Sequence, residues 1–185
     1  SEGCNNCHSQ MIRPIRSETV RYGEYSKPGE FVYDHPFLWG SRRIGPDLQR
    51  IGGKYPNLWH VRHMEDPRST TPQSIMPPYP WLAKRPLDFA AVERGVAAQV
   101  TLGVPYTPQQ VKGAAEIARE QGRQIAQTIV EQGGPKGLEE TRLVALIAYL
   151  QRLGTDIKKS PATAGPDGRR AEALAQPQPH PEPRR

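Results

Sequence analysis

The chain has 185 residues, 36% of them hydrophobic and 7% aromatic, with 20 prolines and a mean hydropathy of -0.70. That length holds one domain with an appendage, but the apolar share is thin, so a large apolar cofactor is expected to supplement the core. The net charge of +6 comes without the aromatic interleaving of a nucleic-acid binder, and the most apolar run, Leu143 to Leu150, is far short of the ~20 residues a bilayer span needs.

Both cysteines lie at the start, in Cys4-Asn5-Asn6-Cys7-His8, and no other occurs. Four chemistries compete for such a pair. A structural zinc site takes about four ligands, typically as two pairs. No second cysteine pair exists, and His35, His60 and His63 have no knuckle spacing. A thioredoxin-like redox pair wants a βαβ setting, which the surrounding sequence lacks. A disulfide would close a very short loop and stabilise little. Covalent haem c attachment accounts for every position: a two-residue spacer lets two thioethers reach two vinyl groups, and the adjacent histidine binds iron. The motif is therefore read as a haem anchor with His8 as iron ligand. Because residue 1 abuts it, no signal peptide is visible, and a targeting or anchoring segment is expected to have been removed or to lie outside this chain.

Residues 1–57 are punctuated by Pro14, Pro28-Gly29, Pro36, Gly40, Gly45-Pro46, Gly52-Gly53 and Pro56, which predicts loops and short helical turns wrapped around something. A short helix is predicted over 57–66, with Asn57 as N-cap and Pro67 as its end. The segment "STTPQSIMPPYPWL" carries Pro72, Pro77, Pro78 and Pro80 and reads as a stiff surface loop. A second helical stretch runs from Leu87 to Leu102. Thr107, Pro108 and Gln110 then form a capping box that opens a helix with Val111, Ala114, Ala118, Ile125 and Ile129 on one stripe, stopped by Gly133-Gly134-Pro135. The last helix, about 138–153, puts Leu143, Leu146, Ile147, Leu150 and Leu153 on one face, with Gly154 as the stop. Residues 158–185 hold six basic against three acidic side chains among Pro and Ala, and read as a disordered basic tail.

An electron-transfer haem needs a second axial ligand. Met11 follows His8 too closely to reach the other side of a haem, and Met64 sits on the short helix, where packing is the plainer role. Met76 lies 68 residues beyond His8 in the proline-stiffened loop and is the first choice, with His63 next and His35 and His60 also candidates behind the methionines. His60 and His63 are otherwise read as supporting or packing residues.

The long run "CNNCHSQMIRPIRSETVRYGEYSKPGEFVYDHPFLWGSRRIGPDLQRIGGKY", followed by "WHVRHMEDPR", "SIMPPYPWL", "LGVPYT" and "ALIAYLQRLGT", resembles the monohaem cytochrome c subunit (CcoO, or FixO) of cbb3-type cytochrome c oxidases. The likeness covers about residues 2–156 and implies an all-α, class I cytochrome c-like domain over 1–157 with a helical insertion at about 83–136. It implies one covalently attached haem c, with Cys4 and Cys7 as thioether cysteines, His8 as proximal ligand and Met76 as distal ligand. Gly45-Pro46-Asp47-Leu48 matches the element whose proline carbonyl orients the proximal imidazole. Lys54 stands where the family often has arginine and is the candidate partner of a haem propionate, as a point charge rather than a fork; the plainer reading is a surface lysine. Trp39, Trp59, Tyr79 and Trp81 are expected to wall the haem.

The resemblance further implies an electron-transfer subunit with no catalytic site of its own, relaying electrons toward a catalytic haem-copper subunit beside a dihaem cytochrome c subunit. The complex lies at the periplasmic face of the bacterial inner membrane, and the family's N-terminal membrane anchor is not in this chain. Most of the helix that leads into the haem motif is not in it either, so part of the apolar face of Leu143, Leu146 and Leu150 is expected to lack its usual cover. A free diffusible cytochrome c, a haem-based gas sensor and a haem-free thiol oxidoreductase are the alternatives.

Overall fold

The computed structural model describes residues 2–35 and 43–155. Trp39 and the basic tail therefore lie outside the described residues. Among those described, the chain is helical without a strand ladder: seven α-helices and three 3-10 turns, with one isolated bridge between Pro86 and Thr141. The all-α expectation holds.

The first third is loop-rich, as its proline and glycine punctuation requires. A 3-10 turn covers Cys4–Asn6, helix α1 covers Arg16–Tyr22, and a second 3-10 turn covers Pro28–Phe31. Helix α2 spans Asn57–Glu65, but Asn57 is its first residue rather than its cap, and Pro56 takes the cap position. The Asn57 side chain instead donates to Thr128 Oγ1 at 2.6 Å and accepts from Gln151 at 2.8 Å, so tertiary partners outcompete the local cap. Pro67 ends α2 as predicted and also opens the short helix α3, Pro67–Thr70, with the Asp66 carboxylate accepting the Arg68 N–H. Proline is tolerated there because the first helical N–H has no intrahelical partner. Residues 71–79 then run without helix, and a 3-10 turn covers Pro80–Ala83.

Asp88 caps α4, Phe89–Thr101, and the Thr107–Gln110 capping box forms as read from the sequence. The helix it opens is two pieces: α5, Pro108–Lys112, and α6, Ala114–Glu131, with Gly113 between them. Glycine weakens a helix interior by roughly 1 kcal/mol against alanine, which makes it the natural break point. The buried residues of α6 are Ala114, Ala115, Gly122, Ala126 and Ile129, so the predicted stripe holds at Ala114 and Ile129, while Ala118 and Ile125 are partly buried and Ala115, Gly122 and Ala126 widen it. Small residues win because α6 lies close to the turn before the last helix. A Cβ on Gly122 would stand 2.3 Å from the Glu139 carbonyl oxygen.

Helix α7 spans Arg142–Arg152, starting four residues later than expected because Thr141 takes the cap. Its Leu143, Val144 and Ile147 pack with Leu58 and Val61 of α2, Ile129 of α6, Leu82 and Leu138 in one core cluster. Full burial of each such side chain is worth about 1.5–3 kcal/mol. Most of the expected gap on α7 is closed: Leu143 and Leu150 are buried, while Leu146 packs against the cluster but stays partly exposed. Helices α2 and α6 supply the cover. No helix among the described residues is long and apolar enough to cross a membrane.

Candidate functional site

Two thiols, an imidazole and a proline carbonyl meet at the N-terminal end of the fold. Gly3 precedes the 3-10 turn, and the Cys7 and His8 N–H groups both donate back to the Cys4 carbonyl at 3.2 and 2.9 Å. The turn thus sets Cys4, Cys7 and His8 on one compact unit, and both cysteines are free thiols.

Residues 45–48 clamp this unit. Gly45 N–H donates to the Cys7 carbonyl at 2.8 Å, and Leu48 N–H donates to the Ser9 carbonyl at 2.9 Å. Between them His8 Nδ1 lies 2.8 Å from the Pro46 carbonyl oxygen. A carbonyl can only accept, so Nδ1 carries the proton and the neutral ring keeps its lone pair on Nε2, the atom left for a metal. Gly45 makes the approach possible: a Cβ there would fall 2.3 Å from His8 Cε1 and 2.7 Å from Nδ1. Proline supplies the carbonyl, and glycine supplies the room beside the ring.

Tyr79 lies close enough to Cys4 and Cys7 that, after burial, the charge of each raises its phenol pKa. The Tyr79 N–H donates to the Met64 carbonyl at 2.7 Å, and its ring meets Trp81 at 5.2 Å and a 64° tilt. Trp81 Nε1 in turn donates to Glu2 at 3.1 Å, closing this aromatic pair over the chain start. Tyr79 and Trp81 therefore sit beside the motif. Met76 is half-buried three residues before Tyr79, with its N–H held by Ser74 Oγ at 3.2 Å. Met64 packs against the core and lines a cavity of about 170 Å³ with Val61, Tyr79, Ala83, Leu138 and Leu143.

Trp59 stands in a column rather than alone. Its ring stacks on Tyr55 at 4.0 Å and on His63 at 4.5 Å, both within 12° of parallel. Lys54 is exposed, and its ammonium sits 5.4 Å from the Tyr55 ring centroid, so its observed partner is an aromatic face. Thr70 Oγ1 donates to the Pro67 carbonyl and takes the His63 Nδ1 proton at 2.6 Å, leaving Nε2 of His63 with its lone pair. Burial is the main cause that lowers the His63 pKa. His60 is 1% exposed, and burial draws its pKa down to about 4.

Sequence reasoning missed Tyr55, whose stacking depends on a fold-set ring position. It also missed the charged cluster of Arg43, Glu18 and Asp47 behind the motif. Glu18 and Arg43 are 25 residues apart, and nothing local marks them as a pair.

A helical domain with a Cys-x-x-Cys-His turn clamped by a Gly-Pro carbonyl defines the class of cytochrome c-like domains. The chain belongs to the FixO family, the mono-haem subunit of cytochrome c oxidase, whose family model matches residues 1–157. A search of curated proteins returned no significant match. Membership implies one haem and a place in an oxidase complex. The chain's own residues fit that group: two free thiols three apart, an imidazole with its tautomer set, and a Gly45 surface that the ring fills.

Proposed function

We propose that this domain carries a single haem c, joined by thioethers to Cys4 and Cys7, and relays single electrons within a cbb3-type respiratory oxidase. The hydrogen bond from His8 Nδ1 to the Pro46 carbonyl is the observation that supports it most, because it prepares Nε2 to ligate iron and makes it a stronger donor. A bound haem supplies a one-electron carrier that cycles between ferrous and ferric iron. The chain's part is to hold that carrier still. Cys4 and Cys7 would anchor it, and His8 and Met76 would ligate its iron, Met76 from a loop that prolines keep rigid. Tyr79, Trp59 and Trp81 exclude water from its faces, and Lys54 is proposed to swing from Tyr55 to a propionate. Electrons are passed toward the haem-copper catalytic subunit, beside a dihaem cytochrome c subunit, at the periplasmic face of the inner membrane. No step of oxygen chemistry is assigned to this chain.

His63 is the rival for the second axial position. Its Nδ1 proton is committed to Thr70, so its Nε2 keeps its lone pair, as that of His8 does. The two assignments part on one spectrum. If Met76 is the ligand, the oxidised protein shows a sulfur-to-iron band that Met76→His removes, with a lower reduction potential. A spectrum that Met76→His leaves unchanged overturns Met76 in favour of His63. Rapid carbon monoxide binding to the reduced, folded protein would point to a gas sensor. A colourless protein titrating two thiols, after expression with the c-type maturation system, would point to a thiol oxidoreductase.

A further inference from the structure

We propose that Asp47, locked by Arg43 and Glu18, is the positioning residue that holds the His8 imidazole against the Pro46 carbonyl. This rests on the haem reading above, since it concerns how the chain presents its iron ligand.

The Asp47 side chain is fully buried, 0% exposed. It is also fully used. Oδ2 accepts the Ser9 hydroxyl at 2.5 Å and the Met11 N–H at 3.0 Å, and Oδ1 accepts the Gln49 N–H at 2.8 Å. These bonds tie the residues immediately after His8 to the residues immediately after Pro46. The carboxylate therefore stitches together the two segments whose relative placement sets the His8–Pro46 distance. A buried carboxylate that accepts from three donors and faces a guanidinium is held rigidly in place.

Arg43 closes the other side of the same seam. Its Nε donates to Ser9 Oγ at 2.7 Å and its Nη2 to the Met11 carbonyl at 2.7 Å, with Asp47 Oδ2 at 3.4 Å. Glu18, nearly buried on α1, takes the rest of the guanidinium at 2.7 and 2.8 Å and also holds Arg13. The hydrogen bond from Arg43 is the main reason the Glu18 pKa falls to about 2, so the pair remains charged at any working pH. A single guanidinium thus spans Ser9, Met11, Glu18 and Asp47. The Cys7–Gly45 and Ser9–Leu48 backbone bonds fix the direction of the seam, and the ionic cluster fixes its depth.

The consequence concerns His8. If the seam loosens, the Nδ1–H bond to Pro46 lengthens, the imidazole becomes a weaker donor, and the ferric state loses stabilisation relative to the ferrous. The test uses the haem-loaded chain, with Asp47→Ala and Arg43→Gln beside a control, Leu143→Ala, that destabilises the core elsewhere. Two quantities are read: solvent exchange of the His8 Nδ1 proton in the reduced protein by nitrogen-resolved magnetic resonance, and the midpoint potential. Asp47→Ala is expected to speed exchange by at least about tenfold, the scale of one lost charge-assisted hydrogen bond, and to raise the potential. Arg43→Gln should move both the same way by less, and it decides the matter if Asp47→Ala does not fold. Leu143→Ala should lower thermal stability and move neither. An unchanged exchange rate or a potential that stays or falls overturns the inference, as does a control that moves both. A colourless wild-type chain from cells carrying the c-type maturation system overturns the haem reading, and this inference with it. A haem-loaded wild type with silent variants overturns the inference alone.

Discussion

His60 is held inside the fold as a neutral ring, and its Nε2 has no hydrogen-bond partner. Its pKa of about 4 lies below the ordinary 6.5, so the unfolded chain takes up a proton that the folded chain refuses. Stability from this residue is complete above pH 6.5 and is lost as pH falls from 6.5 to about 4. Melting midpoints measured between pH 7 and pH 4.5 should therefore drop, and His60→Phe should flatten that drop. Glu18 works in the same direction but lower, between its ordinary 4.5 and about 2, so the two acid effects separate on the pH axis. At the motif itself, Gly45→Ala puts a carbon within 2.3 Å of the His8 ring. Because the nearest obstacle is the His8 ring itself rather than a flexible tip, the ring must leave Pro46. The expected readouts are poor haem loading and a fast-exchanging Nδ1 proton, with helix content by circular dichroism retained.

At the scale of elements, local chemistry was legible and remote packing was not. The capping box at Thr107 formed because all its partners lie within four residues: Thr107 Oγ1 accepts the Gln110 N–H at 3.3 Å and Gln110 Oε1 accepts the Thr107 N–H at 2.8 Å. The Cys-x-x-Cys-His turn and the Gly-Pro element were readable for the same reason. Each is a short run whose spacing states its geometry. Asn57 looked like a cap but spends its side chain on Thr128 and Gln151, partners 71 and 94 residues away, which no window around Asn57 can reveal. The stripe of α6 came out wider than read because Gly122 faces a carbonyl from another segment and brings its small neighbours inside, while Gly113 splits the helix before it. These two kinds of feature differ in energy as well. Thr107→Ala, at an exposed cap, should lower stability by about 1 kcal/mol. Ile147→Ala, at 0% exposure on α7, should lower it by about 2–5 kcal/mol through lost transfer energy and the cavity left behind. Chemical denaturation of both variants checks the order, and equal losses would contradict the placement of the core.

Over the whole molecule, the segment read as an insertion, 83–136, behaves as part of the core rather than as an ornament. Its Ile129 is fully buried and sits in the same cluster as Leu58, Val61, Leu143 and Ile147. Helix α6 contacts α2, α4 and α7, so it joins the helix bearing Trp59 and His63 to the last helix of the chain. Helix α7 then reaches back to the motif, where Tyr149 hydrogen-bonds Gln10, two residues past His8. Burial pushes the Tyr149 phenol up to about 12, which keeps it protonated as a donor to Gln10. Contacts thus run from the insertion to the motif through α6, α7 and Gln10. Removing residues 88–135 and joining the ends with a short glycine linker would expose the apolar faces of α2 and α7 together. Uncovering several large side chains at about 1.5–3 kcal/mol each is comparable to the roughly 5–15 kcal/mol that typically holds a domain folded. The shortened chain should show no cooperative thermal transition by circular dichroism and should fail to retain haem in a folded pocket. A cooperative melt with a normal reduced cytochrome spectrum would show instead that the motif and its clamp fold without α6, and that the insertion serves a partner rather than the core.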